Sequence, residues 1–373
     1  MESGKKRHLS KKIKAAGLLF VFAVVLVFVS KDAFLYSDTI AKVISVENSF
    51  SHEEEGPNEE TEKYFDQEIR AAILNGPHKG KEIRLSNTYS SSGVNDERYR
   101  KGDQLFISVD SRAESGVIEG KKRDLYLTLL VGMFLFLLLF LNEWHGGIIL
   151  LSLLINMLIF VAAIWKYGQG EDLITLADIL MVVFSILTLF FASGFHKKTL
   201  AAIAATLLTT LLCYGIYEIV LHSCERLPYE MMDYVVSPDD LSDLFLMGTL
   251  MGSLGAVMDV SISIAAGVAE IIKQTPNITV KALVKSVREM GYDIMGTMIN
   301  VLFFTYISGA IPMVVVKIKN GYTLYHMVRF QVVFEIIRFL MGAIGIVLAI
   351  PVAGACAVLF LHKAGIKEWR TSK

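Results

Sequence analysis

The chain has 373 residues, 53% of them hydrophobic, and its 36 basic and 37 acidic residues leave a formal net charge of −1. A balance this near neutral offers no electrostatic attraction for nucleic acid, and no nucleic-acid partner is expected. Cysteine is confined to Cys213, Cys224 and Cys356, which form neither a disulfide framework nor a metal-ligand spacing. The sequence contains no phosphate-binding loop, zinc-protease motif, serine-hydrolase elbow or dinucleotide fingerprint in its proper context, so no enzyme activity, catalytic residue, metal or cofactor is expected.

The first 14 residues, MESGKKRHLSKKIK, are basic, and an apolar run from Ala15 to Val29 follows. The next stretch, SKDAFLYS, lacks a small-x-small cleavage pattern, which predicts a retained signal anchor. Residues 1–30 are thus read as a basic cytoplasmic tail and a first transmembrane helix. Residues 31–123 form the one large polar segment. Short β-like stretches recur at 40–46, 67–74, 81–85 and 104–109, separated by turn signals at Asn75-Gly-Pro77, Lys79-Gly80 and Lys101-Gly-Asp103. They predict a small extracytoplasmic β-barrel or sandwich. The acidic stretch 51–60, SHEEEGPNEE, is expected to be a mobile loop.

Seven further apolar runs follow, at about 125–141, 148–165, 174–195, 199–220, 245–270, 294–316 and 332–361. The expected fold class is therefore an all-α polytopic membrane bundle of about eight transmembrane helices, with the small β-rich domain after the first. Residues 124–362 make the seven-helix domain and 363–373 a basic cytoplasmic tail. Placing both termini in the cytoplasm puts the N-terminal basic cluster, His196-Lys-Lys198, the 271–292 loop and the C-terminal tail inside. Only Lys166, Arg226, Lys317 and Lys319 then fall in short outer loops. Lys121-Lys-Arg123 runs against this bias. Between Glu270 and Asp293 the residues Val280, Leu283, Val284, Val287 and Met290 share a helical face, which reads either as an amphipathic helix on the inner leaflet or as a coupling element.

Polar residues inside the apolar runs carry the functional argument. Gly248, Gly252, Gly255, Asp259, Ser263, Ala266 and Glu270 follow at helical spacing and form one face. Small residues on such a face allow close helix approach, and an intramembrane carboxylate marks a functional site by default. Gln331, Glu335, Arg338, Gly342, Gly345, Ala349 and Val352 make a second such face. Glu335 and Arg338 are one turn apart and can pair with each other, or Arg338 can reach Asp259. Asn300 can bond Asp259 or Ser263, or serve as ordinary helix-to-helix glue. Asp259, Ser263, Asn300, Glu335 and Arg338 form the candidate intramembrane polar site, and Gly248, Gly252, Gly255, Gly342 and Gly345 the candidate packing positions.

Five blocks of the sequence, GSLGAVMDVSISI (252–264), DIMGTMINVL (293–302), EIIRFLMGAIGIVLAIP (335–351), GFHKKTLAAI (194–203) and ILNGPHKGK with KGD (73–81, 101–103), resemble the signature blocks of the YibE/F-like bacterial multi-pass membrane proteins. The resemblance covers nearly the whole chain after the first span. It implies the bacterial plasma membrane, and it does not imply a substrate. Two functions remain open. One is transport of an ion or small molecule, by a permease or an ion-coupled exporter. The other is a non-transporting scaffold or assembly factor that binds envelope components through the β domain. The lipid bilayer is the expected partner in both, and self-association is compatible with either. An aspartyl protease built on Asp259 and Asp293 is disfavoured, because roughly 15–20 Å of helix rise would separate carboxylates that must share a proton.

Overall fold

The computed structural model describes residues 2–55, 61–93, 96–110, 115–223 and 241–362. It divides into two compact units, Met1–Gly147 and Ile148–Lys373.

The first unit opens with α1 (Glu2–Ser30) and a single 3-10 turn, Asp32–Leu35. Five strands follow: β1 (Thr39–Glu55), β2 (Thr61–Ile73), β3 (Glu82–Ser90), β4 (Gln104–Val109) and β5 (Ser115–Lys121). They close into a barrel in the order β1-β2-β3-β5-β4, with β3 and β5 parallel and all other neighbours antiparallel. This is the topology of the five-stranded Greek-key barrel known as the OB-fold. Strand periodicity explains the core: Ile69, Ala71 and Ile73 point inward on β2, while Glu68 and Arg70 point out. Ile83, Leu85, Leu105 and Ile107 complete the apolar interior. Gly116 lets β5 close tightly, since a Cβ there would lie 2.6 Å from the Ser108 carbonyl oxygen.

Two expectations change here. β5 was not anticipated, because SGVIEGK is short, polar and glycine-bearing, a weak strand signal. Residues 51–55 of the acidic stretch are not a loop but the end of β1, paired with β2 in a hairpin that outruns the barrel. The remainder, 56–60, lies outside the described residues.

The helical part consists of α2 (Asp124–Tyr167), α3 (Leu173–Ser193), α4 (Lys197–Ser223), α5 (Leu241–Gln274), α6 (Val280–Lys319), the short α7 (Leu324–Met327) and α8 (Val333–Ala357). Wide π-type turns flank α8 at Val328–Val332 and Val358–His362. Asp172 caps α3 through the Thr175 amide at 2.9 Å, and Gly194, at a φ of 72°, ends it in a conformation reserved for glycine.

Among the described residues, seven segments are long and apolar enough to cross a membrane, and the shorter Lys14–Ser30 of α1 is the eighth apolar helix. Two of the seven lie within α2. Its hydrogen bonding is continuous, yet a Cβ on Gly146 would lie 2.6 Å from the carbonyl oxygen of Leu138, eight residues earlier. A straight helix would separate them by about 12 Å of rise. The chain therefore bends back on itself at 142–147, where two runs joined by a short connection were expected.

In the second unit α5 is the central helix and packs on α3, α4, α6 and α8. The core joins Ala201, Ala202 and Ala205 of α4 to Val257, Val260 and Ile264 of α5 and Ile346, Ala349 and Ala353 of α8. The small residues of α4 and α8 let these helices approach closely. The 280–292 segment is not a separate surface helix: it is the first part of α6, with Leu283 and Val287 buried in this core. Pro312 and Pro351 lie inside α6 and α8, both of which continue past them as helix.

Candidate functional site

The structure sorts the predicted polar residues into two separate places. Asp259 lies 18 residues after the start of α5 and 15 before its end, close to mid-helix. Gly248, Gly252, Gly255, Asp259 and Ser263 are all exposed on the single chain, whereas Val257, Val260, Ser261 and Ile264 are buried on the opposite side. The small-and-polar face of α5 thus points away from its own bundle except at Gly252, where Tyr306 of α6 lies against it. A Cβ added at Gly248 or Gly255 would meet nothing within 4 Å. No hydrogen bond or ion pair engages the side chain of Asp259 or Ser263 among the described residues. Asn300 is likewise exposed, and its amide donates to the Gly296 carbonyl of its own helix at 2.7 Å, not to Asp259 or Ser263.

Glu335 and Arg338 form the second place. They pair with each other, one turn apart on α8 and both partly buried. The Arg338 guanidinium lies over the Phe245 ring, 5.1 Å from its centre. Phe245 is 14 residues before Asp259 on α5, about 21 Å of rise, which explains why Arg338 does not reach Asp259. Sequence reading missed Tyr306, whose hydroxyl lies against Gly252. That hydroxyl and the Gln331 Oε1 are buried without a hydrogen-bond partner among the described residues.

The predicted packing glycines divide the same way. A Cβ on Gly342 would lie 2.9 Å from Leu302 Cδ1, and one on Gly345 3.2 Å from Val257 Cγ2 and 3.3 Å from Cys213 Sγ. Gly252 is pressed by Tyr306. A Cβ on Gly248 or Gly255 would meet open space among the described residues.

A third polar cluster, also missed, joins the barrel to its flanking helices. Lys122 is buried, with its ammonium 2.5 Å from Asp32 Oδ1, 3.1 Å from Asp124 Oδ2 and 3.2 Å from the Val29 carbonyl oxygen. It also lies 5.0 Å from the Tyr36 ring centre. The Tyr36 hydroxyl donates to Asp124, and this bond to a carboxylate pushes the phenol up to about 12. Lys121 pairs with Asp103 at 2.8 Å and Arg123 with Glu97. All three residues of the cluster that ran against the charge bias are thus neutralised by acids of the barrel segment. The signal for this was the conflict itself.

A closed β-barrel inserted between apolar helices, followed by a packed helical bundle with unpartnered intramembrane polar residues, defines a polytopic helical membrane protein. Family models account for nearly the whole chain: the YibE/F family N-terminal domain matches residues 34–125 and the YibE/F-like protein model matches residues 130–363. The chain belongs to the YibE/F-like family. No curated protein and no solved structure matches it.

Proposed function

We propose that this protein moves an ion or small solute across the bacterial plasma membrane, with Asp259 as the carboxylate that meets the cargo or a coupling proton. The observation that supports this reading is that carboxylate, unpaired on an exposed face at mid-helix. A charge left against lipid at that depth costs at least about 2.5–3.5 kcal/mol, so it needs water or a second protein surface. The same face carries Gly248, Gly255 and Ser263, while at Gly252 it is covered by Tyr306. A second copy set against it would meet backbone and hydroxyls rather than bulky side chains, and the seam would shelter a hydrated route past Asp259. The Glu335–Arg338 pair, with Tyr306 and Gln331 beside it, is a second polar station in the bundle, and its two unsatisfied buried atoms suit a bound water or ion.

The test is water access. Gly255, Asp259, Ser263 and Asn300 are replaced singly by cysteine in a background lacking Cys213, Cys224 and Cys356. Each variant is then treated from either side of the membrane with a charged, impermeant thiol reagent. The proposal expects labelling of at least two of the four. Protection of all four in folded, inserted protein would count against it and favour a dry interface.

A further inference from the structure

The flared lip of the barrel carries a surface that nothing above accounts for. Phe50 of β1 pairs across the sheet with Phe65 of β2, and Phe65 with Tyr89 of β3, so register alone sets three aromatic rings in one row over three strands. Phe50 and Phe65 meet edge to face at 6.1 Å, and Phe65 and Tyr89 stack at 5.3 Å. Arg98 closes the row, with its guanidinium 5.5 Å above the Tyr89 ring centre.

The row is fixed from beneath. Directly below it, Asn48, Gln67 and Asn87 form an amide ladder: Gln67 donates to Asn48 Oδ1 at 2.8 Å, and Asn87 to Gln67 Oε1 at 2.9 Å. Gln67, only 1% exposed, also holds the backbone of Tyr99 from both sides, with bonds of 3.0 Å to its carbonyl and from its amide. Asn87 donates to the Glu97 carbonyl at 2.8 Å. The segment that carries Arg98 is therefore strapped to the barrel, and the arginine is presented from a rigid base.

Two adjoining grooves, of about 630 and 390 Å³, share Asn48 and Arg98 in their walls. The larger is lined by the three rings and by Ser90, Ser91, Ser92 and Gly93; the smaller adds Arg100 and Lys101. Phe50 is 58% exposed. Arg98, Arg100 and Lys101 are exposed and form no ion pair among the described residues. The walls of the two grooves include three cations and no carboxylate, and the acids nearest to them are held elsewhere by hydrogen bonds or pairing: Glu62 accepts from the Ser92 amide at 2.8 Å, Asp96 from the Ser90 amide at 2.8 Å, and Glu97 pairs with Arg123.

We propose that this lip is a binding site for an acidic oligosaccharide, a chain of sugar rings bearing carboxylate or phosphate groups. The apolar face of a sugar ring suits the exposed aromatic row, the serine hydroxyls suit its hydroxyls, and an unpaired, stacked guanidinium is the group that takes an acid in bidentate fashion. Charge complementarity selects an acidic glycan over a neutral one. The site concerns the barrel alone, so it stands or falls separately from transport past Asp259.

The test uses the full-length protein in nanodiscs, titrated calorimetrically with hexagalacturonate, with the neutral galactohexaose and with the single-stranded hexanucleotide dT6. The site predicts saturable binding of hexagalacturonate at one per chain, with the neutral hexaose weaker by about tenfold or more. Arg98→Ala is expected to weaken hexagalacturonate by about tenfold, Phe50→Ala by a few-fold, and Arg98→Lys by less than Arg98→Ala. Both side chains are exposed, so these variants should unfold at the wild-type temperature. Absence of saturable hexagalacturonate binding would overturn the assignment. So would equal affinity for the neutral hexaose, indifference to both alanine variants, or tighter binding of dT6.

Discussion

Lys122 and Asp259 are the two charges in this chain that look misplaced, and the structure treats them in opposite ways. Lys122, beside a membrane span, is enclosed by Asp32, Asp124, a backbone carbonyl and the Tyr36 ring, all from its own chain. Asp259, in the middle of a span, is exposed and has no hydrogen-bond or ion-pair partner among the described residues. One charge is satisfied by the fold, and the other asks for something outside it. This is the difference between a structural ion cluster and a candidate working group, since a fold that depends on a charge surrounds it with partners.

The sharpest way to break the comparison is to delete the lysine. Lys122→Ala leaves two carboxylates facing each other across a buried gap, and removing one partner of a buried pair costs about 3–5 kcal/mol. The expected outcome is a large fall in the thermal midpoint of the detergent-solubilised protein. A variant as stable as wild type would show that the cluster is not what holds the barrel to α1 and α2. The glycines offer a second contrast. Gly354→Leu drives a side chain into Val287, whose Cγ1 would be 2.7 Å from the new Cβ. Overpacking of this kind costs about 1–3 kcal/mol. Gly255→Leu meets open space and should change the stability of the single chain by less than about 0.5 kcal/mol, while weakening any self-association of the α5 face. Comparable unfolding midpoints for the two variants would erase the distinction between packed and open glycines.

Tyr36 sharpens the same contrast by titration. Its phenol is raised from 10.0 to about 12, so the folded state favours the neutral hydroxyl that donates to Asp124. A group with a raised folded-state value contributes its full stability below its unfolded value and loses it as pH climbs through the folded one. The difference in stability between wild type and Tyr36→Phe, about 1–2 kcal/mol for a bond to a charged acceptor, should therefore hold steady below pH 10 and shrink between pH 10 and about 12. Unfolding midpoints across that range check this; a difference that grows with pH would reverse the assignment of donor and acceptor.

What was readable in the sequence follows from the range of the interactions involved. The spans and the polar β segment were legible because hydropathy and strand alternation are local. The Glu335–Arg338 pair was legible for the same reason, lying one helical turn apart. The Lys122–Asp32 contact joins residues 90 positions apart, and only the misplaced basic cluster hinted at it. The Phe50–Phe65–Tyr89 row was invisible, since it depends on the register of three strands and on a bulge between Phe50 and His52. The residues of the α5 face lie at helical spacing in the sequence. The direction of that face was not legible, because helical spacing groups residues on one side without saying which side faces the bundle.

The smallest effect on stability is expected where the functional effect should be greatest. Asp259→Asn removes a charge that has no hydrogen bond or ion pair among the described residues, so the unfolding free energy should stay within about 0.5 kcal/mol of wild type or rise slightly, as the membrane no longer has to accommodate a carboxylate. If Asp259 meets cargo or a proton, the same change abolishes or uncouples movement of the solute, read as flux in proteoliposomes once a cargo is in hand. Stability and function then separate at this residue, as they cannot at Lys122. A large loss of stability in Asp259→Asn would instead mean that the carboxylate has a structural partner beyond the described residues, and a second molecule seated on the α5 face is the case to test. Measuring the midpoint at high and low protein concentration distinguishes that case, because stability that depends on association falls with dilution whereas stability intrinsic to the chain does not.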